Sequence, residues 1–105
     1  MHRGYLVYVG AEGCKACKAS TPVVKAVAQE LGVPLVYVDY FKTRCVIDGV
    51  QIDETPFTVY VPDGRFDWSN ALRGPAVNKP AVRRWLEGRI QAAIDRGALF
   101  CGRPS

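Results

Sequence analysis

Tyr5-Leu6-Val7-Tyr8-Val9-Gly10-Ala11-Glu12-Gly13-Cys14-Lys15-Ala16-Cys17 is the stretch that decides how this chain is read. Its first five residues form a continuous β-branched and aromatic run with glycines at both ends, the pattern of a buried strand. After Gly10-Ala11-Glu12-Gly13 the pattern turns helical. Val24, Val27, Ala28 and Leu31 recur at helical spacing, and Gly32 is a C-cap candidate. Cys14 is therefore placed at a helix N-terminus, where unpaired backbone N–H groups and the positive end of the dipole favour a thiolate. Cys17 follows one turn later on nearly the same face, with Cα atoms about 5–6 Å apart, within disulfide reach. Such a pair can open and close with little backbone motion, which is the chemistry of a thiol–disulfide switch. Pro22 removes one internal hydrogen bond about a turn further on and should bend the axis.

Beyond Val33-Pro34, Leu35-Val36-Tyr37-Val38 reads as a second strand. With a helix between them, the two strands should be parallel, joined by a right-handed crossover. Residues 39–54 are the least patterned, and a short helix over Thr43–Asp48 stopped by Gly49 is expected there. Phe57–Val61 is a third strand. Pro62-Asp63-Gly64 is a turn, and Arg65–Trp68 alternates as a fourth strand in an antiparallel hairpin. Asn78 and Pro80 start a last helix with the apolar stripe Val82, Trp85, Leu86, Ile90, Ala93 and Ile94, ended by Gly97. The expected order is β-α-β-α-β-β-α, an α/β domain with a four-stranded mixed sheet and helices on both faces.

The chain has 105 residues, 49% of them apolar, enough for one domain with one core. Residues 98–105 are expected to form a loose tail. A formal charge of +4, with no basic run interleaved with aromatics, gives no reason to expect nucleic-acid binding. No apolar run approaches the ~20 residues that span a bilayer, and none resembles a signal-peptide core. A cytoplasmic setting is expected, in which the four cysteines would rest mostly reduced. A zinc site wants four ligands, commonly from paired clusters. Beyond Cys14 and Cys17 only Cys45, Cys101 and His2 remain as candidates, so redox chemistry is the better reading of the pair and no metal is expected. Cys45 reads as a buried structural thiol, Cys101 as a tail residue and His2 as solvated. Glu12 reads as an exposed loop acid, and Trp68 as a surface residue of the hairpin.

Three features in order carry a family resemblance. They are Cys14-Lys15-Ala16-Cys17 after a strand, Pro22 five residues past the second cysteine, and Thr55-Pro56 before Phe57–Val61 and Pro62-Asp63-Gly64. Over residues 4–96 the chain resembles the thioredoxin superfamily, at a size similar to glutaredoxins. The resemblance implies a thioredoxin-like fold in which Pro56 is cis and faces the cysteine pair, while Thr55 offers main-chain groups to a substrate peptide. It implies a thiol–disulfide oxidoreductase with Cys14 as nucleophile and Cys17 as resolving thiol. Lys15 beside Cys14 and Lys18 one turn along add a positive field that should lower the Cys14 pKa. The resemblance implies no bound cofactor. Electrons would come from a thioredoxin-reductase-type flavoenzyme or glutathione, and clients would be proteins with disulfides, ribonucleotide reductase among them. A monomer is expected. The motif departs from thioredoxins at Gly13 and Lys15-Ala16, and Tyr8 stands where they bury an acid. The glutaredoxin Cys-Pro-Tyr-Cys motif and Gly-Gly pair are also missing. A redox-inactive thioredoxin-like binding module is the alternative, and a zinc or iron–sulfur site bridging two chains a weaker third.

Overall fold

Alternation along one strand divides this molecule into two packed faces. A computed structural model describes residues 4–97. Its elements are β1 (Tyr5–Gly10), α1 (Lys15–Leu31), β2 (Leu35–Asp39), β3 (Cys45–Ile47), β4 (Val50–Ile52), β5 (Phe57–Val61), β6 (Ala71–Arg73) and α2 (Lys79–Asp95), with a 3-10 turn at Trp68–Asn70. The main sheet has the order β2-β1-β5-β6. β1 and β2 are parallel, with Leu6 beside Leu35 and Tyr8 beside Tyr37. β5 runs antiparallel to β1 and β6 antiparallel to β5.

Side chains of successive strand residues point to opposite faces. Leu6, Tyr8 and Tyr60 therefore pack with Val24, Val27 and Ala28 of α1 and with Val82, Leu86 and Ile90 of α2. Val7, Val9, Phe57, Val59 and Val61 point the other way and pack with Cys45, Ile47 and Ile52. Both helices thus lie on one face, and the β3–β4 hairpin covers the other. The helix expected over Thr43–Asp48 is this hairpin, so helices do not occupy both faces. Asp48 and Gly49 turn it with φ of 51° and 79°. An Asp-Gly pair with positive φ is a preferred two-residue hairpin turn.

The fourth strand also differs from expectation. β5 pairs with Ala71–Arg73 and not with Arg65–Trp68. Asp67 caps the 3-10 turn instead, its carboxylate accepting from the backbone N–H of Ser69 at 2.9 Å and from its hydroxyl at 2.8 Å. That local bond competes with strand pairing. Phe66 and Trp68 go to the aromatic group around Phe57, with ring centroids 4.8–6.5 Å apart.

The helix signals act where they were read. Cys14 is the N-cap of α1 and Gly32, at φ 67°, its C-cap. Asn78 caps α2 by accepting from the Ala81 N–H at 3.0 Å. Gly88 inside α2 costs about 1 kcal/mol of helix propensity. Burying Leu86 and Ile90 at about 1.5–3 kcal/mol each outweighs it. Glu30 near the end of α1 pairs with Lys79 and Arg83, tying the start of α2 to α1. Among the described residues no helix is long and apolar enough to cross a membrane. Ala98–Ser105, with Cys101, and His2 lie outside the described residues.

Candidate functional site

Everything that places the cysteine pair begins with β1, which is buried from Leu6 to its end at Gly10. The chain then turns through Gly13 at φ 83°, a backbone state that side chains disfavour. Cys14 follows in extended conformation, φ −81° and ψ 111°, as the N-cap of α1. Its Sγ accepts the Cys17 N–H at 3.1 Å, and its carbonyl accepts the Lys18 N–H at 3.0 Å. A cysteine sulfur thus does the work that a hydroxyl or carboxylate does at most helix starts. Cys14 and Cys17 form a disulfide with Cα atoms 5.2 Å apart. The two sulfurs are not equivalent: Cys14 is half-buried, while Cys17 is only 3% exposed.

Beneath Cys17 lies a small polar group in an otherwise apolar layer. The Tyr8 hydroxyl donates to the Cys17 carbonyl at 3.2 Å. Thr21 Oγ1 lies 2.7 Å from the same carbonyl and 3.1 Å from the phenol oxygen, so its one proton serves either acceptor. Burial raises the Tyr8 pKa above 10.0, with Tyr37 adding to the rise and the Thr21 and Ser20 hydroxyls opposing it. Ser20, fully buried one turn after Cys17, accepts the Ala76 N–H at 2.9 Å. This contact holds the chain before α2 against α1.

Two recesses flank the pair. One of about 550 Å³ is lined by Cys14, Lys15, Cys17, Lys18, Thr21 and Tyr37, among others. The second, about 380 Å³, is lined by Cys14, Tyr40, Phe41 and Thr55, with Glu12 bordering both. The Thr55–Pro56 peptide bond is cis, and the Pro56 carbonyl accepts the Gly74 N–H at 3.1 Å. The structure therefore brings Thr55, Lys15 and Lys18 to the cysteine pair, with both lysines exposed on the helix surface. Cys45 stays apart: it faces the sheet from β3, and burial pushes its thiol upward. Among the described residues no three His, Cys, Asp or Glu side chains gather as a metal site would require.

Sequence reasoning missed Thr21, Tyr37, Tyr40 and Phe41 as site residues. Phe41 is 75% exposed beside Tyr40, an unusual position for a phenylalanine. A signal for it existed. Asp39 ends β2, its carboxylate accepts the Phe41 N–H at 3.0 Å, and its carbonyl accepts from Lys42 and Thr43. An Asp at a strand end commonly makes such a turn and turns the next residues outward.

A mixed sheet in the order β2-β1-β5-β6, with a cysteine pair at the start of α1 and a cis-proline before β5, has the thioredoxin-like fold. Among solved structures the chain is similar to an X-ray structure of Fasciola hepatica thioredoxin, with a TM-score of 0.55, 23% sequence identity, and coverage of 83% of this chain and 81% of that one. No family model matches the chain, and no curated protein does.

Proposed function

We propose that this chain is a thiol–disulfide oxidoreductase that reduces protein disulfides by a dithiol cycle. The observation that carries the reading is the asymmetry of the pair: an accessible sulfur at a helix N-terminus, joined to a buried one in a thioredoxin-like fold. In the reduced protein the Cys14 thiolate attacks a client disulfide, forming a mixed disulfide and expelling one client thiolate. Cys17, after losing its proton, attacks the Cys14 sulfur and expels the second client thiolate. The client gains two electrons and the Cys14–Cys17 disulfide is restored. The helix N-terminus stabilises the Cys14 thiolate as attacker. Lys15 and Lys18 support the same charge from the surface. Thr55 and the cis Pro56 would hold the client chain across the recess shared with Cys14.

No bound cofactor is needed in this cycle. A thioredoxin-reductase-type flavoenzyme or glutathione would return the electrons. Clients would be disulfide-bearing proteins in a cytoplasmic setting, and enzymes such as ribonucleotide reductase fit by resemblance alone. Insulin-disulfide reduction with dithiothreitol as electron source tests the cycle. Cys14→Ser should abolish turnover, and Cys17→Ser should accumulate a mixed disulfide trapped on Cys14. Undiminished turnover in Cys14→Ser overturns the proposal. No turnover in the native chain would favour a redox-inactive binding module.

A further inference from the structure

We infer that the outer edge of β2 is a docking surface for a second copy of this chain, joining two four-stranded sheets across a twofold axis at Tyr37. β2 is the terminal strand of its sheet, and among the described residues nothing pairs with its outer side. The phase of its backbone is fixed by the bonds to β1. The Leu6 N–H donates to the Pro34 carbonyl and the Tyr40 N–H to the Gly10 carbonyl, both at 2.8 Å. Pro34, Val36, Val38 and Tyr40 thus spend their backbone groups inward. Leu35 and Tyr37 present theirs outward, as does the Asp39 N–H, while the Asp39 carbonyl accepts from Lys42 and Thr43.

Edge strands of this length are normally blunted by lysine, proline or a bulge. Between Pro34 at its entrance and Asp39 at its end, Leu35-Val36-Tyr37-Val38 carries neither charge nor proline, and Val36 and Tyr37 are 45% and 48% exposed. The opposite edge, β6, is shorter and carries Arg73.

The strand is complementary to itself in one register. Placed antiparallel with Tyr37 on the axis, each Tyr37 exchanges both backbone bonds with its mate. The Asp39 N–H of each copy reaches the Leu35 carbonyl of the other, while the Asp39 carbonyl keeps its turn bonds to Lys42 and Thr43. Val36 lies opposite Val38 of the second copy on the hairpin face. The two Tyr37 rings meet on the helix face, where cross-strand aromatic pairs are favourable. The sole charge of the strand is also accommodated. The Asp39 residues lie two positions to either side of the axis, about 13 Å apart along the strands, beyond the screening length in physiological salt. Tyr37 lines the recess that holds Cys14 and Cys17. Pairing would therefore wall that recess of each copy with the other's tyrosine and leave the Thr55 recess open. This assignment stands independently of the redox reading.

An edge contact of this extent belongs to the weak class of interfaces, so association is expected only from on the order of 10–100 µM upward. Sedimentation equilibrium of the full chain in reductant, across that range, reads it without interference from intermolecular disulfides. A concentration-dependent dimer is expected. Val36→Lys should shift it at least tenfold toward monomer, as should Tyr37→Pro, which removes an N–H that no bond among the described residues uses. Val46→Lys, on an exposed hairpin position away from the edge, should leave it unchanged. Monomer at every concentration, or a dimer untouched by Val36→Lys, overturns the inference. A dimer lost equally in Val46→Lys does so too. If Tyr37→Pro fails to fold, Val36→Lys alone decides.

Discussion

Tyr8 occupies a position where the chemistry of one side chain limits the mechanism. It is fully buried under Cys17, and its hydroxyl is spent on the Cys17 carbonyl. Burial raises its pKa above an already high ordinary value, so the phenol keeps its proton across the working range. It can position Cys17 but cannot take the proton that Cys17 must lose before resolving a mixed disulfide. The sequence showed Tyr8 on the strand leading to the motif, and so a weak base at best. It could not show Thr21 closing the group, because that contact depends on how α1 lies over β1. Tyr8→Phe removes the hydroxyl and keeps the ring. Stability should fall by about 0.5–1.5 kcal/mol, the net worth of a buried hydrogen bond. The pH profile of mixed-disulfide resolution between pH 6 and 9 should keep its shape. A displaced inflection in stopped-flow traces would show that the phenol moves the proton after all.

The β3–β4 hairpin shows at the level of elements what was legible in the chain and what was not. Helices α1 and α2 carry long periodic patterns with caps, strands β1, β2 and β5 continuous β-branched and aromatic runs, and each forms where its pattern lies. Residues 45–52 carry a period-2 pattern only three residues long on either side of Asp48-Gly49. A run that short cannot be told from helix by periodicity, and Gly49 passes equally as a helix stop or a hairpin turn. The Asp-Gly pair was the better signal. The arbitrating physics is tertiary: the sheet face made by Val7, Val9, Phe57 and Val59 needs cover, and Cys45, Ile47 and Ile52 provide it. Asp48 also accepts the Phe66 N–H at 3.4 Å, joining the turn to the loop after β5. Gly49 has open space where a Cβ would sit, so its replacement tests backbone strain alone. Gly49→Ala should cost about 1–2 kcal/mol, the penalty of holding an L-residue in the left-handed region. Urea unfolding measures it as a lower midpoint at unchanged slope. A neutral result would mean that the turn relaxes to another type and that the hairpin contributes less cover than its packing indicates.

At the scale of the whole molecule, groups that titrate differently in folded and unfolded chains bound the pH range of stability. Glu30 is held low by its bond to Lys79, with Arg83 assisting. Glu54 is held low by Arg73, and Asp67 by the Ser69 backbone N–H and hydroxyl. These carboxylates fasten α2 to α1, the loop before the cis-proline to β6, and the turn before β6 to itself. Their folded pKa values lie below the unfolded ones. Their contribution is thus present above about pH 4 and lost as pH falls through the folded values, where the unfolded chain binds more protons. All three side chains are more than a third exposed, so the acid limb should be shallow and flattened further by salt. Tyr8 and Cys45 define the other side. Burial raises both above their ordinary values of 10.0 and 9.0. Their contribution is complete below those values and disappears as pH rises through the folded ones, because only the unfolded chain ionises readily. In the oxidised protein Cys14 and Cys17 carry no titrating thiol, so neither enters the alkaline limb. Melting temperature against pH should form a plateau from about pH 5 to about pH 8.5. Cys45→Ala should lower the plateau through lost packing, yet move the onset of the alkaline fall from about pH 9 toward about pH 10, where Tyr8 ionises in the unfolded chain. An unchanged onset would show that the Cys45 thiol ionises as easily folded as unfolded, and that the hairpin admits water to the sheet face it covers.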